Sequence, residues 1–239
     1  MPLGIGMGLS VGAGNGLPLS SSWPSVSDIP PGMLVLDSDG VVKQKRFAVE
    51  LNGPDSLRFS TSTISLSTTN WSLSWTQSDR AVSAIGNRLL GIYDGERSVV
   101  RINQITGGYF RLTLSTDGSN AVAYIDHTNA IVDTRFHSFR IEKIGDNIAL
   151  IIDGVSVSTS IGTWSATNAS IVEFKDSGID LRPLVLANIK QCDSVSCNDF
   201  FPCTEQAGTE IANINSPNRP ATLSDATAHT ETLVPVSML

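Results

Sequence analysis

The chain has 239 residues, 41% of them hydrophobic and 16% charged, with 16 basic against 23 acidic residues and a formal net charge of -7. Such a composition supports a sizeable core and excludes a coiled coil or a charged disordered chain. The acidic balance, with no basic stretch beyond "KQKR" at 43 to 46, disfavours nucleic acid and anionic membrane as partners, and that cluster reads as a solvated strand.

Residues 1 to 32 are rich in Gly, Ser and Pro, nearly free of charge, and end in "IPPG". The opening "MPLGIGMGLSVGAGNG" has no positive n-region, and its frequent glycines weaken a helical h-region, so it reads as an extended arm rather than a signal peptide. A segment of this composition builds no core of its own and is ordered only by a partner. No apolar run in the chain approaches the roughly 18 residues that span a bilayer.

From residue 33 short apolar runs recur between turn formers, and Asp-Gly pairs stand at Asp39-Gly40, Asp94-Gly95, Asp117-Gly118 and Asp153-Gly154. Asp-Gly suits the positive backbone angles of tight hairpin turns. Apolar residues alternate with polar ones at Phe47, Val49 and Leu51, at Ile64 and Leu66, and at Trp71, Leu73 and Trp75, where Ser72 and Ser74 face the other way. The same holds for Phe110, Leu112 and Leu114 against Tyr109, Arg111 and Thr113. In "FRIEKIGDNIALIIDGVSV", residues 139 to 157, Phe139 and Ile141 share a face with Ile148, Leu150 and Ile152 across a turn at Gly145 to Asn147. Period two dominates and no helical period persists, which predicts an all-β antiparallel sandwich over 33 to 190. Its last strands are expected at Ile171 to Phe174 and Leu184 to Ile189. Regularity is expected to stop after Lys190, leaving 191 to 239 as an irregular C-terminal extension packed on the sandwich or on a neighbour.

No catalytic set is visible. Glu142 stands alone on its strand, and Glu173 and Asp176 fall on opposite faces, so a pair of carboxylates for glycoside cleavage is unsupported. The G-x-S-x-G string is absent, as is a phosphate-binding loop, and His127, His137 and His229 are scattered. His137, beside Phe136, reads as a satisfied strand histidine. The chain is therefore expected not to be an enzyme. Cys192, Cys197 and Cys203 are spaced C-x4-C-x5-C without a second cluster, which disfavours zinc, and the odd count favours free thiols in a reducing compartment over one local disulfide.

Binding would sit on loops at the rim of the sandwich. Trp164 in "SIGTWSATNAS" and Tyr93 with Asp94 are the candidate ligand-binding residues, able to stack on a sugar or help hold Ca2+ through oxygen. The competing structural readings make Trp164 a core plug and Asp94 a turn former.

The stretch "DTRFHSFRIEKIGDNIALIIDGVSV" resembles the laminin G-like, concanavalin A-like jelly-roll domain. Phe136-His137 stands where that family usually has Trp-His, Asp153-Gly154 matches a later Asp-Gly, and "NWSLSWTQSD" at 70 to 79 places Trp75 in a usual aromatic position. The resemblance covers about 47 to 190 and implies a jelly roll whose members serve adhesion, glycan binding or structure. Calcium ligands of the family find no full motif; Asp94 and Asp117 are the candidates it suggests.

A second stretch, "NDFFPCTEQAGTEIANINSPNRPATL" at 198 to 223, is similar to an element found next to such domains in phage and bacterial surface proteins, matching at Phe201-Pro202, Glu205, Gly208-Thr209 and Ala221-Thr222-Leu223. Asn213 replaces its usual Asp, and Pro217-Asn218 replaces a Gly-Asn turn. The opening "MPLGIGMGLSVG" is similar to starts of phage structural proteins. Together these imply a virion structural protein made in the host cytoplasm and displayed on the particle surface, as capsid decoration, head fibre or tail component. Its arm would dock on other virion proteins, copies would form a homo-oligomer, and two roles compete: surface decoration or fibre structure, the favoured one, which needs no ligand, and adhesion to a cell-surface glycan. The alternative is a free carbohydrate-binding module of a bacterial surface or secreted protein.

Overall fold

The computed structural model describes residues 25–37, 40–65, 70–79, 88–162, 168–175, 184–225 and 227–239. Among them the regular structure is β-strand, with two short 3-10 turns at Val26–Asp28 and Val236–Met238. Residues 1 to 24 of the expected arm lie outside the described residues.

The first sheet has nine strands: β1 (Leu34–Leu36), β2 (Val42–Leu51), β4 (Trp71–Asp79), β9 (His137–Ile144), β10 (Asn147–Ile152), β11 (Val155–Ser160), β13 (Leu184–Asp193), β14 (Cys197–Phe201) and β17 (His229–Pro235). The second has eight: β3 (Ser56–Ser65), β5 (Arg88–Asp94), β6 (Arg97–Ile105), β7 (Tyr109–Ser115), β8 (Ala121–Asp126), β12 (Asn168–Lys175), β15 (Glu210–Ile211) and β16 (Ala221–Leu223). Their spatial orders are β1-β2-β13-β4-β9-β10-β11, with β14 beside β13 and β17 beside β2, and β15-β16-β3-β12-β5-β6-β7-β8. Consecutive strands cross between the sheets at both ends of the chain, as in a jelly roll, and the all-β antiparallel sandwich expected from the period-two pattern is the architecture observed.

The alternating residues meet between the sheets. Trp75 stacks on Phe139 at 5.3 Å and meets the edge of Phe174 at 5.4 Å, while Phe110 reaches Phe139 at 5.0 Å. This aromatic column joins two strands of each sheet, and the buried indole N–H of Trp75 donates to Gln77 Oε1 at 2.8 Å, which removes the cost of an unpaired donor in the core. The Asp-Gly turn of β10 and β11 holds Asp153 at φ 49 and Gly154 at φ 79, the two successive positive angles that favour this dipeptide.

Regularity does not stop after Lys190. β13 continues to Asp193, and the chain then supplies β14 to the first sheet, β15 and β16 to the edge of the second, and β17 back to the first. These strands are short, and their side chains are held by a buried polar hub rather than by alternation alone. Asn213 donates through Nδ2 to Asp199 Oδ1 at 2.6 Å and accepts at Oδ1 from the N–H groups of Phe200 and Ser216. Arg219 pairs with the same Asp199 oxygen at 2.9 Å. Glu205 accepts from the Ala212 N–H at 2.7 Å. Asn213, standing where the similar element has Asp, thus ties this segment to β14, together with Asn215 and Ser216, which donate to the Cys197 and Asn198 carbonyl oxygens. At the opposite side of the sandwich, His127 bridges the last strands of the two sheets, its Nε2 lying 2.9 Å from the Val155 carbonyl oxygen while its Nδ1 accepts from the Asn129 N–H.

The "KQKR" strand is not simply solvated. Lys43 pairs with Asp37 at 2.7 Å, Lys45 is buried against Glu231 at 2.8 Å, and Arg46 bonds to Asn188 Oδ1 and to the Pro202 carbonyl oxygen. Packing of β17 and the C-terminal turn over β2 uses these cations internally.

Candidate functional site

Because Trp75 and Phe139 point into the core, Ser74, Thr76, Ser138 and Arg140 project from the other face of the first sheet. There they line a groove of ≈ 380 Å³ together with Ile151, Gly154, Asn188 and Lys190, and Ser237, Met238 and Leu239 form one wall. Asn188 adopts φ 51 at an irregularity between Ala187 and Lys190, which turns its side chain toward this wall. Its Nδ2 donates to the Met238 carbonyl oxygen at 2.8 Å, and the Thr76 hydroxyl donates to the same oxygen at 3.3 Å. Arg140 pairs with Glu142 along its own strand, and the Lys190 ammonium lies 4.8 Å from the centre of the Phe200 ring. The groove therefore offers the Ser74 and Ser138 hydroxyls and two cations around an aliphatic patch, and no acidic side chain is among the described residues that line it.

One end of the groove is held by the two motifs that carried the jelly-roll resemblance. His137 Nδ1 lies 2.6 Å from Asp153 Oδ2 and its Nε2 lies 2.8 Å from Asp133 Oδ1. Asp153 Oδ1 also accepts from the Ser138 N–H at 2.9 Å. The start of β9, the turn after β10 and the loop before β9 are thus pinned together, and His137 is the satisfied strand histidine expected. Burial of the Asp133 carboxyl opposes its ionisation, but hydrogen bonds from Arg135 and His137 outweigh this and hold it well below the usual range.

Of the residues singled out from sequence, Asp39, Leu66, Trp164 and Asp176 lie outside the described residues. Tyr93 is on β5 of the second sheet, away from the groove, and its hydroxyl donates to Glu173 Oε2 at 2.8 Å. Asp94 sits beside it at the hairpin end, opposite Arg97. Asp117 is committed to its own turn: N–H groups of Asn120 and Ser119 each donate to it at 2.8 Å and depress its carboxyl far below the ordinary value. Among the described residues no three His, Cys, Asp or Glu side chains come together as a metal site. The groove residues had drawn no attention because outward Ser, Thr and Arg are what any half-exposed strand carries. Asn188 alone left a signal, as a polar residue interrupting the apolar run "LVLANI", and Asn is one of the few side chains that tolerates positive φ.

The cysteines correct the expectation of free thiols. Cys192 and Cys197 form a disulfide across the β13–β14 hairpin, and Cys203 alone is free, fully buried, with burial pushing its thiol far up. Antiparallel pairing places Cys192 directly opposite Cys197, a proximity that the spacing did not reveal.

No family model and no curated protein matches this chain. Among solved structures, the binding domain of botulinum neurotoxin DC in complex with SialylT is 13% identical, with a TM-score of 0.46 over 65% of this chain and 44% of that one. The heptameric SAP-like pentraxin of Limulus polyphemus is 11% identical, with a TM-score of 0.45 over 61% of this chain and 75% of that one. The chain spans less than half the length of the neurotoxin domain it matches, and likeness at this level carries nothing about ligands.

Proposed function

We propose that this chain is a non-enzymatic bacteriophage virion protein, serving as capsid decoration, head fibre or tail component, whose sandwich binds a cell-surface glycan in the groove of the first sheet. The observation that carries the binding half is the groove's lining: Ser74, Ser138, Arg140 and Lys190 carry polar groups suited to sugar hydroxyls, with Ile151 and Met238 as apolar contacts. Among the described residues the lining holds no carboxylate side chain, which supports binding over glycoside cleavage, a reaction that uses two of them. The virion half rests on the nearly uncharged arm of residues 1 to 32, on the element at 198 to 223 and on the opening residues. In this reading the arm docks on neighbouring virion proteins, copies assemble as a homo-oligomer, and the Cys192–Cys197 bridge closes outside the reducing cytoplasm of the host, the two thiols giving two electrons and two protons to dioxygen.

The test is a mass-spectrometric inventory of clean particles, with copy number set against the major capsid protein, followed by competition of phage adsorption with the purified chain. A fixed copy number, with adsorption blocked by the wild-type chain and not by the Arg140→Ala, Lys190→Ala double variant, supports the reading. Absence from particles overturns the virion role. The Cys192–Cys197 bridge favours a second reading, an exported carbohydrate-binding module of a bacterial surface or secreted protein. Glycan binding by a chain absent from particles would select it.

A further inference from the structure

On the second sheet the outward positions of β7 and β8 carry two exposed tyrosines, Tyr109 at 40% and Tyr124 at 60% of full exposure, opposite the buried Phe110, Leu112, Leu114 and Ile125. Neither ring dangles. The Arg111 guanidinium carbon lies over the Tyr124 ring, 5.3 Å from its centre. Arg111 is itself fixed by a two-pronged ion pair with Asp126, Nε to Oδ1 at 2.6 Å and Nη2 to Oδ2 at 2.7 Å. Tyr109 lies against the bare α-carbon of Gly107, where a Cβ would come within 3.1 and 3.2 Å of two ring carbons. The Tyr124 ring thus has a cation over one face and the Tyr109 ring has one side against Gly107, while much of each residue stays in water.

Seated rings lose little freedom when a ligand stacks on them, so their contact area converts into affinity at low entropic cost. The register sets Thr113 opposite Tyr124 and Arg111 opposite Asp126. Tyr109 is four residues from Thr113 on the same strand, so the backbone positions of the two tyrosines stand roughly 13 Å apart along the strand direction. Between their levels on the sheet lies the charged pair Arg111 and Asp126 rather than a continuous apolar patch. Each Asp126 oxygen keeps lone-pair capacity after its bond to Arg111. Flat rings separated by a fixed carboxylate and guanidinium complement a ligand with apolar C–H faces and adjacent hydroxyls.

We propose that the outward face of β7 and β8 is a saccharide platform, in which Tyr109 and Tyr124 stack on sugar rings and Arg111 with Asp126 bonds the hydroxyls of the units between them. This site lies on the opposite sheet from the groove and does not depend on it. The full chain is tested by interferometry on immobilised linear hexasaccharides of β-1,4-glucose, β-1,4-N-acetylglucosamine and α-1,4-galacturonic acid. At least one is expected to bind, with Tyr124→Ala and Tyr109→Ala each weakening it by about tenfold or more and the corresponding Phe variants staying within about twofold. Thermal melts of the variants identify any loss that comes from unfolding. Binding that is lost in Arg140→Ala but unchanged in the tyrosine variants overturns the platform and leaves the groove standing. No binding to any of the three overturns the platform, and the adsorption competition then judges the groove alone.

Discussion

Replacing Arg219 by Met should destabilise the sandwich by about 3 kcal/mol. Asp199 is fully buried, and its Oδ1 accepts from both Asn213 and Arg219. Burial pushes its carboxyl above the usual carboxylate range, against the opposing effects of the Asn213 hydrogen bond and the Arg219 charge. Removing the cation leaves that charge with one neutral donor, and breaking a buried pair costs roughly 3 to 5 kcal/mol. The Arg219 side chain is 26% exposed, so water already screens part of the interaction and the lower end applies. In a chain of this size the loss is a fall in Tm of roughly 6 to 12 °C. The pH dependence has a definite sign. An acid whose folded pKa is raised contributes stability below its unfolded value, near ~3.9, and loses it as pH rises through the folded value. Without Arg219 the carboxyl rises further, so the deficit of Arg219→Met against wild type should be larger at pH 7 than at pH 4. Urea denaturation at both pH values, repeated in an Asp199→Asn background, reads the coupling. A deficit below about 1 kcal/mol, or one of equal size with and without the Asp199 charge, would refute the reasoning.

Four further outcomes follow from other contacts. Gly108→Ala should cost more than about 2 kcal/mol, because φ is +78 and the added Cβ would sit 2.4 Å from the Ile131 carbonyl oxygen; wild-type stability on urea denaturation would contradict it. Reducing the Cys192–Cys197 bridge, which closes a loop with a sequence separation of 5, should lower stability by roughly 2 kcal/mol or less. Under reduction Cys192 and Cys197 should react with a thiol reagent while buried Cys203 stays unmodified until unfolding, as peptide mapping would check. Asp117, whose carboxyl is depressed by its turn N–H groups, contributes stability above ~4 that is lost as pH falls further. The destabilisation caused by Asp117→Ala should therefore be larger at pH 6 than at pH 2, read by thermal melts at the two values.

The sandwich was legible in the sequence wherever one face of a strand is wet. Phe110, Leu112 and Leu114, or Phe139 and Ile141, alternate because their neighbours meet water, and the Asp153-Gly154 turn announces itself by its angles. Legibility failed where burial is two-sided. Asp199 and Gln191 face inward at a cross-strand pair, and a buried Asp on a five-residue strand looks like a loop residue until Asn213 and Arg219 arrive from later in the chain. The disulfide was obscure for a related reason, since only the β13–β14 register brings its two cysteines face to face. The groove and the tyrosine platform were hidden in another way. Their residues obey the ordinary outward pattern, and only the three-dimensional seating of Tyr109 on Gly107, or of Met238 on Asn188, distinguishes them from solvated surface.

Asn188 links that scaffold to the groove. β13 pairs with β2 through residues 184 to 186 and with β14 from Ile189 onward, so the backbone changes partner at the point where Asn188 turns to φ 51. Such an exchange interrupts the ladder, and buried polar groups there must find partners from outside it. Arg46 reaches in from β2 to Asn188 Oδ1 and the Pro202 carbonyl oxygen. Asn188 Nδ2 in turn donates to the Met238 carbonyl oxygen. Burial draws the Arg46 guanidinium below its ordinary pKa, against the opposing influence of Cys203 and Glu205, a cost offset by its hydrogen bonds at the junction. The groove wall thus hangs from the same junction that lets β14 join the sheet. Its shape is set by strands and a buried side-chain relay rather than by a free loop, which is the rigidity that a preformed binding site requires.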